Sequence, residues 1–294
     1  MIDLAPVCVF AYNRPEQTKK TLAALQKNYL AKDTRLIVFC DGPKEGESEL
    51  EILKVRNLIK SIDGFKSVEI YKSYSNLGLA QSIINGASKI ISKSKKIIVL
   101  EDDLITAKNF LHFMNQALNY YEEQKQIFSI SGYTMELKSL ANLEKDCYFG
   151  VRGSSWGWAT WHDRWENVDW EVKDYNQFKF NIKKQIQFSK GGSDMPFMLR
   201  KQMKNKIDSW AIRWCYHQFK YGSLTVFPAK SKIENIGFGE HATNTKKAKR
   251  FRTSLDIGNQ TKFEFQKEII RSKKIEKEFR SMFSFYNRLK NKLS

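Results

Sequence analysis

The stretch Lys96-Ile97-Ile98-Val99-Leu100-Glu101-Asp102-Asp103-Leu104 constrains this chain more than any other. Four consecutive apolar residues run directly into three acids. A short unbroken apolar run reads as a strand buried on both faces, as in a parallel sheet covered by helices. Three adjacent carboxylates at its end repel one another, which raises the pKa of at least one unless a cation sits among them. A divalent metal with hard oxygen ligands, Mg²⁺ or Mn²⁺, is the simplest relief. A solvated acidic turn is the alternative that these residues alone leave open.

The preceding hundred residues place that strand in a pattern. Pro6 to Tyr12 reads as a buried strand, and Asn13-Arg14-Pro15-Glu16 starts a helix with Asn13 as its N-cap and Pro15 in the first turn. Leu36 to Cys40 is a second strand ending in Asp41-Gly42-Pro43, and Ile52, Val55, Ile59 and Ile62 follow at helical spacing. Val68 to Tyr71 is a third strand, running out at Asn76-Leu77-Gly78. A helix with Ile83, Ala87, Ile90 and Ile91 on one side then leads to the strand at 96–100. The alternation β-α-β-α-β-α-β predicts an α/β, mostly parallel, doubly wound sheet.

In such sheets ligands bind beyond the carboxyl ends of the strands. Those ends carry Ala11, Tyr12, Asn13 and Arg14, then Asp41, then Asn76 and Gly78, then Asp102 and Asp103. Polar groups at four strand ends, with apolar strands behind them, predict one site. Arg14 beside metal-binding acids points to a phosphate-bearing ligand. Neither G-x-x-x-x-G-K-[ST] nor G-x-G-x-x-G after the first strand is present, so the metal and side chains would neutralise the phosphates.

The chain of 294 residues has a hydrophobic content of 41% and is 28% charged, a globular balance. No apolar run reaches the length of a membrane span, and no signal peptide is visible. Cys8, Cys40, Cys147 and Cys215 lack paired metal-ligand spacing, and Cys8 and Cys40, inside apolar strands, read as reduced core residues of a cytoplasmic protein. The net charge is +18, and residues 246–294 hold 15 Lys/Arg against 5 Asp/Glu. Such a tail suits a solvated helix, an anionic membrane or nucleic acid.

With these pieces the chain resembles GT-A fold glycosyltransferases, notably bacterial members grouped with glycosyltransferase family 2 and eukaryotic N-acetylglucosaminyltransferase I. The resemblance rests on Val9 to Pro15, Phe39-Cys40-Asp41-Gly42, Asn76-Leu77-Gly78, Val99 to Leu104, Ser155 to Trp161, Asp208-Ser209-Trp210 and Asn235 to His241. It covers residues 5–245, roughly. It implies a Rossmann-like GT-A domain over 1–245, with a nucleotide-binding half (1–104) and an acceptor half (105–245), and a basic helical extension over 246–294. It also implies that Glu101-Asp102-Asp103 acts as a D-x-D-type motif. Asp103 would hold Mn²⁺ or Mg²⁺ on the donor diphosphate, Asp102 would face the ribose and Glu101 the sugar hydroxyls. Asp41 would contact the nucleoside, and Ala11 and Arg14 would belong to the loop around the nucleotide. The implied reaction is transfer from a nucleotide-sugar, UDP-linked, to a glycan or lipid-linked glycan in bacterial surface polysaccharide synthesis.

In the second half, Phe110, Phe113, Met114, Ala117, Leu118 and Tyr121 read as the core face of a helix. Five tryptophans fall within 156–170, and Trp156 or Trp158 is expected to line the donor pocket against an aromatic mini-core as the alternative. An inverting transfer needs a carboxylate to take the acceptor proton. Asp208 matches the family's base, with Trp210 and Trp214 placed to desolvate it and raise its pKa; Asp194, in a glycine-rich segment, is the runner-up. Asn235 to Thr245 has the composition of a lid, and His241 would be a further metal or diphosphate contact. Phe279, Met282, Phe283, Tyr286, Leu289 and Leu293 mark a basic amphipathic helix that either packs on the domain or lies on an anionic membrane. The competing functions are a non-catalytic nucleic-acid or glycan-binding protein and a nucleotidyltransferase. No recognised nucleic-acid motif is present, so no nucleic-acid partner is expected.

Overall fold

The computed structural model describes residues 4–237, 251–284 and 287. The first half alternates as its hydrophobic pattern dictates: β1 (Val7–Ala11), α1 (Pro15–Gln26), β2 (Arg35–Cys40), α2 (Leu50–Lys60), β3 (Ser67–Lys72), α3 (Leu79–Ser94) and β4 (Lys96–Glu101). These four strands lie in the order β3-β2-β1-β4, all parallel. The N-cap of α1 is Arg14, not Asn13, and no side chain caps the helix. Arg14 instead sends its guanidinium across to the acids after β4. Pro15 occupies the first turn, where its missing N–H costs nothing.

The chain then forms β5 (Leu104–Thr106), α4 (Phe110–Tyr120), β6 (Ile127–Ser131), β7 (Cys147–Gly150), β8 (Trp158–Trp161), α5 (His162–Trp165), α6 (Tyr175–Lys179), α7 (Ile182–Phe188), α8 (Met195–Gln202), α9 (Trp210–Lys220), β9 (Leu224–Pro228), β10 (Ile233–Asn235) and α10 (Lys273–Met282). The sheet continues from β4 as β8-β6-β9-β7. β8 runs antiparallel to both β4 and β6, so the second half of the sheet is mixed. A separate ribbon pairs β5 with β10 in antiparallel register, Leu104 opposite Asn235.

Both faces of the sheet are covered, as the apolar strands require. In β1, Val7, Val9 and Ala11 point into one core with α1, α2 and α4, while Cys8 and Phe10 point into the other with α3 and α9. Four tryptophans fill that second core: Trp158 stacks on Trp165 at 5.3 Å and lies 5.0 Å from Trp210 and 4.4 Å from Trp214. All four cysteines are free and buried. Among the described residues no helix is long and apolar enough to cross a membrane.

Among the described residues after 250, α10 is the regular helix, and residues 252–272 have no regular secondary structure and run along α4. Gln116 hydrogen-bonds to Thr261 and Phe263, and Tyr121 donates to the carbonyl of Gln266. Phe263 meets Phe113 edge-on at 5.2 Å. The Lys232 ammonium, buried beneath this segment, pairs with Asp256, which also accepts from Asn109 at 2.9 Å. The α10 helix turns its apolar face onto the domain, with Ile275 buried and Phe279 5.6 Å from Phe227. Tyr286, Leu289 and Leu293 lie outside the described residues.

Candidate functional site

The parallel strands end together, and their ends are tied to one another by the polar groups that follow them. After β4, Asp102 and Asp103 are both buried, at 2% and 7% exposure. The Arg14 guanidinium spans them: one nitrogen pairs with Asp102 Oδ1 and the other donates to Asp103 Oδ2 at 2.9 Å. The Tyr12 N–H donates to Asp102 Oδ2 at 3.3 Å. Thr21, on the inner face of α1, donates to the Asp102 carbonyl at 2.9 Å and accepts the Leu104 N–H at 3.1 Å. That hydroxyl locks the turn between β4 and β5. A loop partner more than eighty positions away leaves no local signature in the sequence around Thr21.

Glu101 and Asp102 resist ionisation. Burial, then Asp103 and Asp102, push Glu101 up to about 8. Burial pushes Asp102 up to about 6 against the pull of Arg14. One guanidinium therefore faces three carboxyls, and Asp103 Oδ1 is buried with no hydrogen-bond partner. Among the described residues no three His, Cys, Asp or Glu side chains are gathered as a preformed metal cage. An orphaned carboxylate oxygen in an acid-rich pocket nonetheless fits a hard cation whose remaining ligands come from a phosphate or water.

The β5–β10 ribbon brings a second wall to these acids. Ile236 donates its N–H to the Asp103 carbonyl at 2.9 Å, and Gly237 donates to Asn235 Oδ1 at 2.7 Å. A Cβ on Gly237 would lie 2.0 Å from Asp103 Oδ2, so this position admits only glycine while Asp103 keeps its place. His241, expected as a metal or diphosphate contact, lies outside the described residues.

At the neighbouring strand ends, Asp41 is a brace. Its Oδ1 accepts from the Gly42 and Leu77 N–H groups, each at 2.9 Å, and its Oδ2 accepts from Gly78 at 3.1 Å. Asn76 Nδ2 returns a bond to the Gly42 carbonyl at 3.0 Å. Asp41 follows the end of β2, and the Asn76-Leu77-Gly78 loop follows β3, so three of these hydrogen bonds fix one strand end to the next. Gly78 has φ +78°, a left-handed conformation that starts α3 and that residues with a Cβ rarely adopt. Ala11 closes β1, and its carbonyl accepts the Asp41 N–H at 3.0 Å. The Tyr12 hydroxyl donates to Glu47 at 2.8 Å, and burial with Glu47 pushes it up to about 12. Asn13 is exposed.

Asp208 precedes α9, whose N-cap Ser209 accepts the Ile212 N–H. Its carboxylate is 62% exposed, 3.8 Å from Arg213, and a Cβ on Gly78 would stand 3.4 Å from its Oδ2. Asp208 thus reaches the loop that Asp41 holds. Trp210 and Trp214 do not desolvate it: both turn into the tryptophan core, where helix periodicity sends them. Asp194 is not placed to act as a base, because Arg152 engages both its oxygens at 2.9 and 3.0 Å. Trp158, expected to line a donor pocket, does not reach the surface. It has no exposed surface, since its position in β8 points it into the sheet's inner core. Trp156, two positions earlier and before the strand begins, is half-buried and meets Tyr133 and Phe251 edge-on at 4.6 and 5.4 Å.

No protein-family model matches the chain. Among solved structures the fold is similar to S. aureus TarS 1–349, with a TM-score of 0.42 and 12% identity over 79% of this chain. The chain spans 60% of that structure's length. It is also similar to the galactosyltransferase LgtC in complex with donor and acceptor sugar analogues (TM-score 0.40, 11% identity, 74% of this chain and 72% of that one). A third similarity is to UDP-glucose pyrophosphorylase complexed with UDP-glucose (TM-score 0.35, 11% identity, 76% of this chain and 90% of that one).

Proposed function

We propose that this chain is an inverting, divalent-metal-dependent glycosyltransferase of the GT-A type. It would move a sugar from a UDP-linked donor to a glycan or lipid-linked glycan. The observation that carries this reading is the convergence of Arg14, Asp102 and Asp103 at adjacent strand ends, with one buried Asp103 oxygen left unpaired. Mn²⁺ or Mg²⁺ held by Asp103 with Asp102 would supply Lewis-acid stabilisation to a leaving diphosphate.

The remaining roles belong to the chain's own groups. Arg14 would offset phosphate charge, because its guanidinium already matches paired oxygen acceptors. The loop Asn76-Leu77-Gly78, fixed by Asp41, would present its backbone to the nucleoside, with Asp41 acting through that loop. Asp208 would accept the proton of the acceptor hydroxyl as it attacks the anomeric carbon. Its exposure leaves room for an acceptor. Glu101, at the end of β4, would reach a sugar hydroxyl.

Isothermal titration of the protein with UDP and GDP, with and without Mn²⁺, followed by hydrolysis assays on a panel of UDP- and GDP-sugars, tests this reading. Metal-dependent nucleotide binding and release of sugar are expected. Nucleotide binding indifferent to EDTA, or none, removes it; pyrophosphate-dependent turnover would assign a nucleotidyltransferase instead.

A further inference from the structure

The helices that precede Asp208 expose more apolar surface than their packing leaves over. One face of each enters a small core, where Phe178, Phe188, Met195 and Leu199 join Ile212 and Tyr216 of α9. On the outside, Phe180 is 79% exposed, Ile182 72%, Ile186 63% and Phe197 53%. Ile182 and Ile186 are four apart on α7 and share one side of it. The α7 helix packs on α8, which carries Phe197. A single exposed leucine or phenylalanine is ordinary, but a group of large ones on adjoining helices marks a surface that meets something apolar.

Charge decides what that something is. Residues 175–206 contain eight Lys/Arg and a single acid, Asp194. The Asp194 carboxylate is buried against Arg152, so it does little to offset the field outside. Lys183 and Lys184 separate the two isoleucines. The Lys179 ammonium lies 4.7 Å from the Phe180 ring and that of Lys201 4.7 Å from the Phe197 ring. Apolar side chains are thus interleaved with lysines whose stems lie along them and whose ammonium groups can reach past them.

We propose that this face docks on an anionic phospholipid bilayer. Phe180, Ile182, Ile186 and Phe197 enter the acyl boundary, and the lysines meet headgroup phosphates. A second copy of the chain fits poorly, because a two-fold contact here would set Lys183 and Lys184 against their own equivalents. A nucleic acid would leave the isoleucines without a partner. The apolar face of α10 is not available, since Ile275 and Phe283 are buried in the domain. The bilayer would lie beside the chain that runs from α8 into Asp208. Delivery of a lipid-linked acceptor to that carboxylate rests on the proposed transferase reading, whereas the docking does not.

Co-sedimentation with vesicles of phosphatidylcholine, with and without phosphatidylglycerol, tests the docking without any assay of turnover. The full chain is expected to bind the anionic vesicles and to be released by salt. The variant F180S/I182S/I186S and, separately, K179Q/K183Q/K184Q are each expected to lose at least roughly tenfold in partitioning, with thermal melting unchanged because every altered side chain is exposed. Failure of the wild-type chain to bind anionic vesicles overturns the proposal. So does wild-type binding by the serine variant, which would put attachment elsewhere on the basic surface. A wild-type dimer in solution that the serine variant dissociates would assign the face to a second copy.

Discussion

Arg14 donates to Asp103 at 2.9 Å while its other terminal nitrogen holds Asp102, so the first strand's loop supplies the only cation that the described residues place on these acids. Removing it leaves buried carboxylates uncompensated. R14A is expected to lower stability by roughly 3 kcal/mol, since breaking a buried charge pair costs more than the pair contributes. Added Mn²⁺ should restore much of that loss by binding the folded state. Urea denaturation with and without the metal checks both parts.

D208N keeps the shape of the side chain and removes its basicity. Transfer should fall by at least about a hundredfold, the lower end of what a general base supplies. Nucleotide affinity should hold, because Asp208 touches the Gly78 loop and not the acid cluster. Turnover at the wild-type rate would take Asp208 out of the reaction.

Asp41 accepts three backbone N–H groups, and D41A would leave the Leu77 and Gly78 donors without it. A stability loss of roughly 1–3 kcal/mol is expected for donors stranded in a half-buried turn. Nucleotide affinity should drop further than stability, since the loop would no longer hold its backbone in place. Calorimetry and chemical denaturation on the same variant separate the two effects.

Trp158 and Trp156 sit two positions apart and should respond differently. W158A opens a cavity among Trp165, Trp210 and Trp214 and is expected to cost roughly 3–5 kcal/mol. W156A, at a half-buried site, should cost less than half as much. Melting temperatures of the two variants decide whether the tryptophan cluster is a core with one accessible edge.

His217 links stability to pH. Burial, with Lys220 adding to it, lowers its pKa from 6.5 to about 4, and its ring lies on Phe128 at 5.5 Å. Between those values the unfolded chain takes up a proton that the folded chain refuses. The contribution is complete above pH 6.5 and is lost as the pH falls toward 4. The acids after β4 act in the opposite sense, so the test is the difference between wild type and H217Q. That difference in denaturation midpoint should shrink on acidification through this range.

The parallel half of the fold was legible because each strand there is an unbroken apolar run and each helix carries a clear inward stripe. Ile52, Val55 and Ile59 are buried at the positions their spacing assigns. The strand-end cluster was legible too, since topology alone brings Arg14, Asp41, Gly78 and Asp102 to one edge. What escaped was pairing at long range. Arg152 with Asp194, Thr21 with the Asp102 turn and Gly237 with Asp103 depend on tertiary approach that no window of sequence encodes. Tryptophan number misled where tryptophan position did not: Trp158 follows the inward register of β8, and a sugar-stacking role at that residue conflicts with it. Distance along the chain makes Trp210 and Trp214 neighbours of Asp208, yet a helix beginning at Trp210 turns both away from it.

The pairing of Lys232 with Asp256 bears on where this protein can be divided. A chain ending near residue 245 would leave the Lys232 ammonium beside Phe113 without its carboxylate and strip the cover from Phe113 and Tyr121. The described residues from 251 onward are therefore upholstery of the sheet domain and not luggage behind it. Shortening this protein for expression at that apparent seam invites an insoluble product.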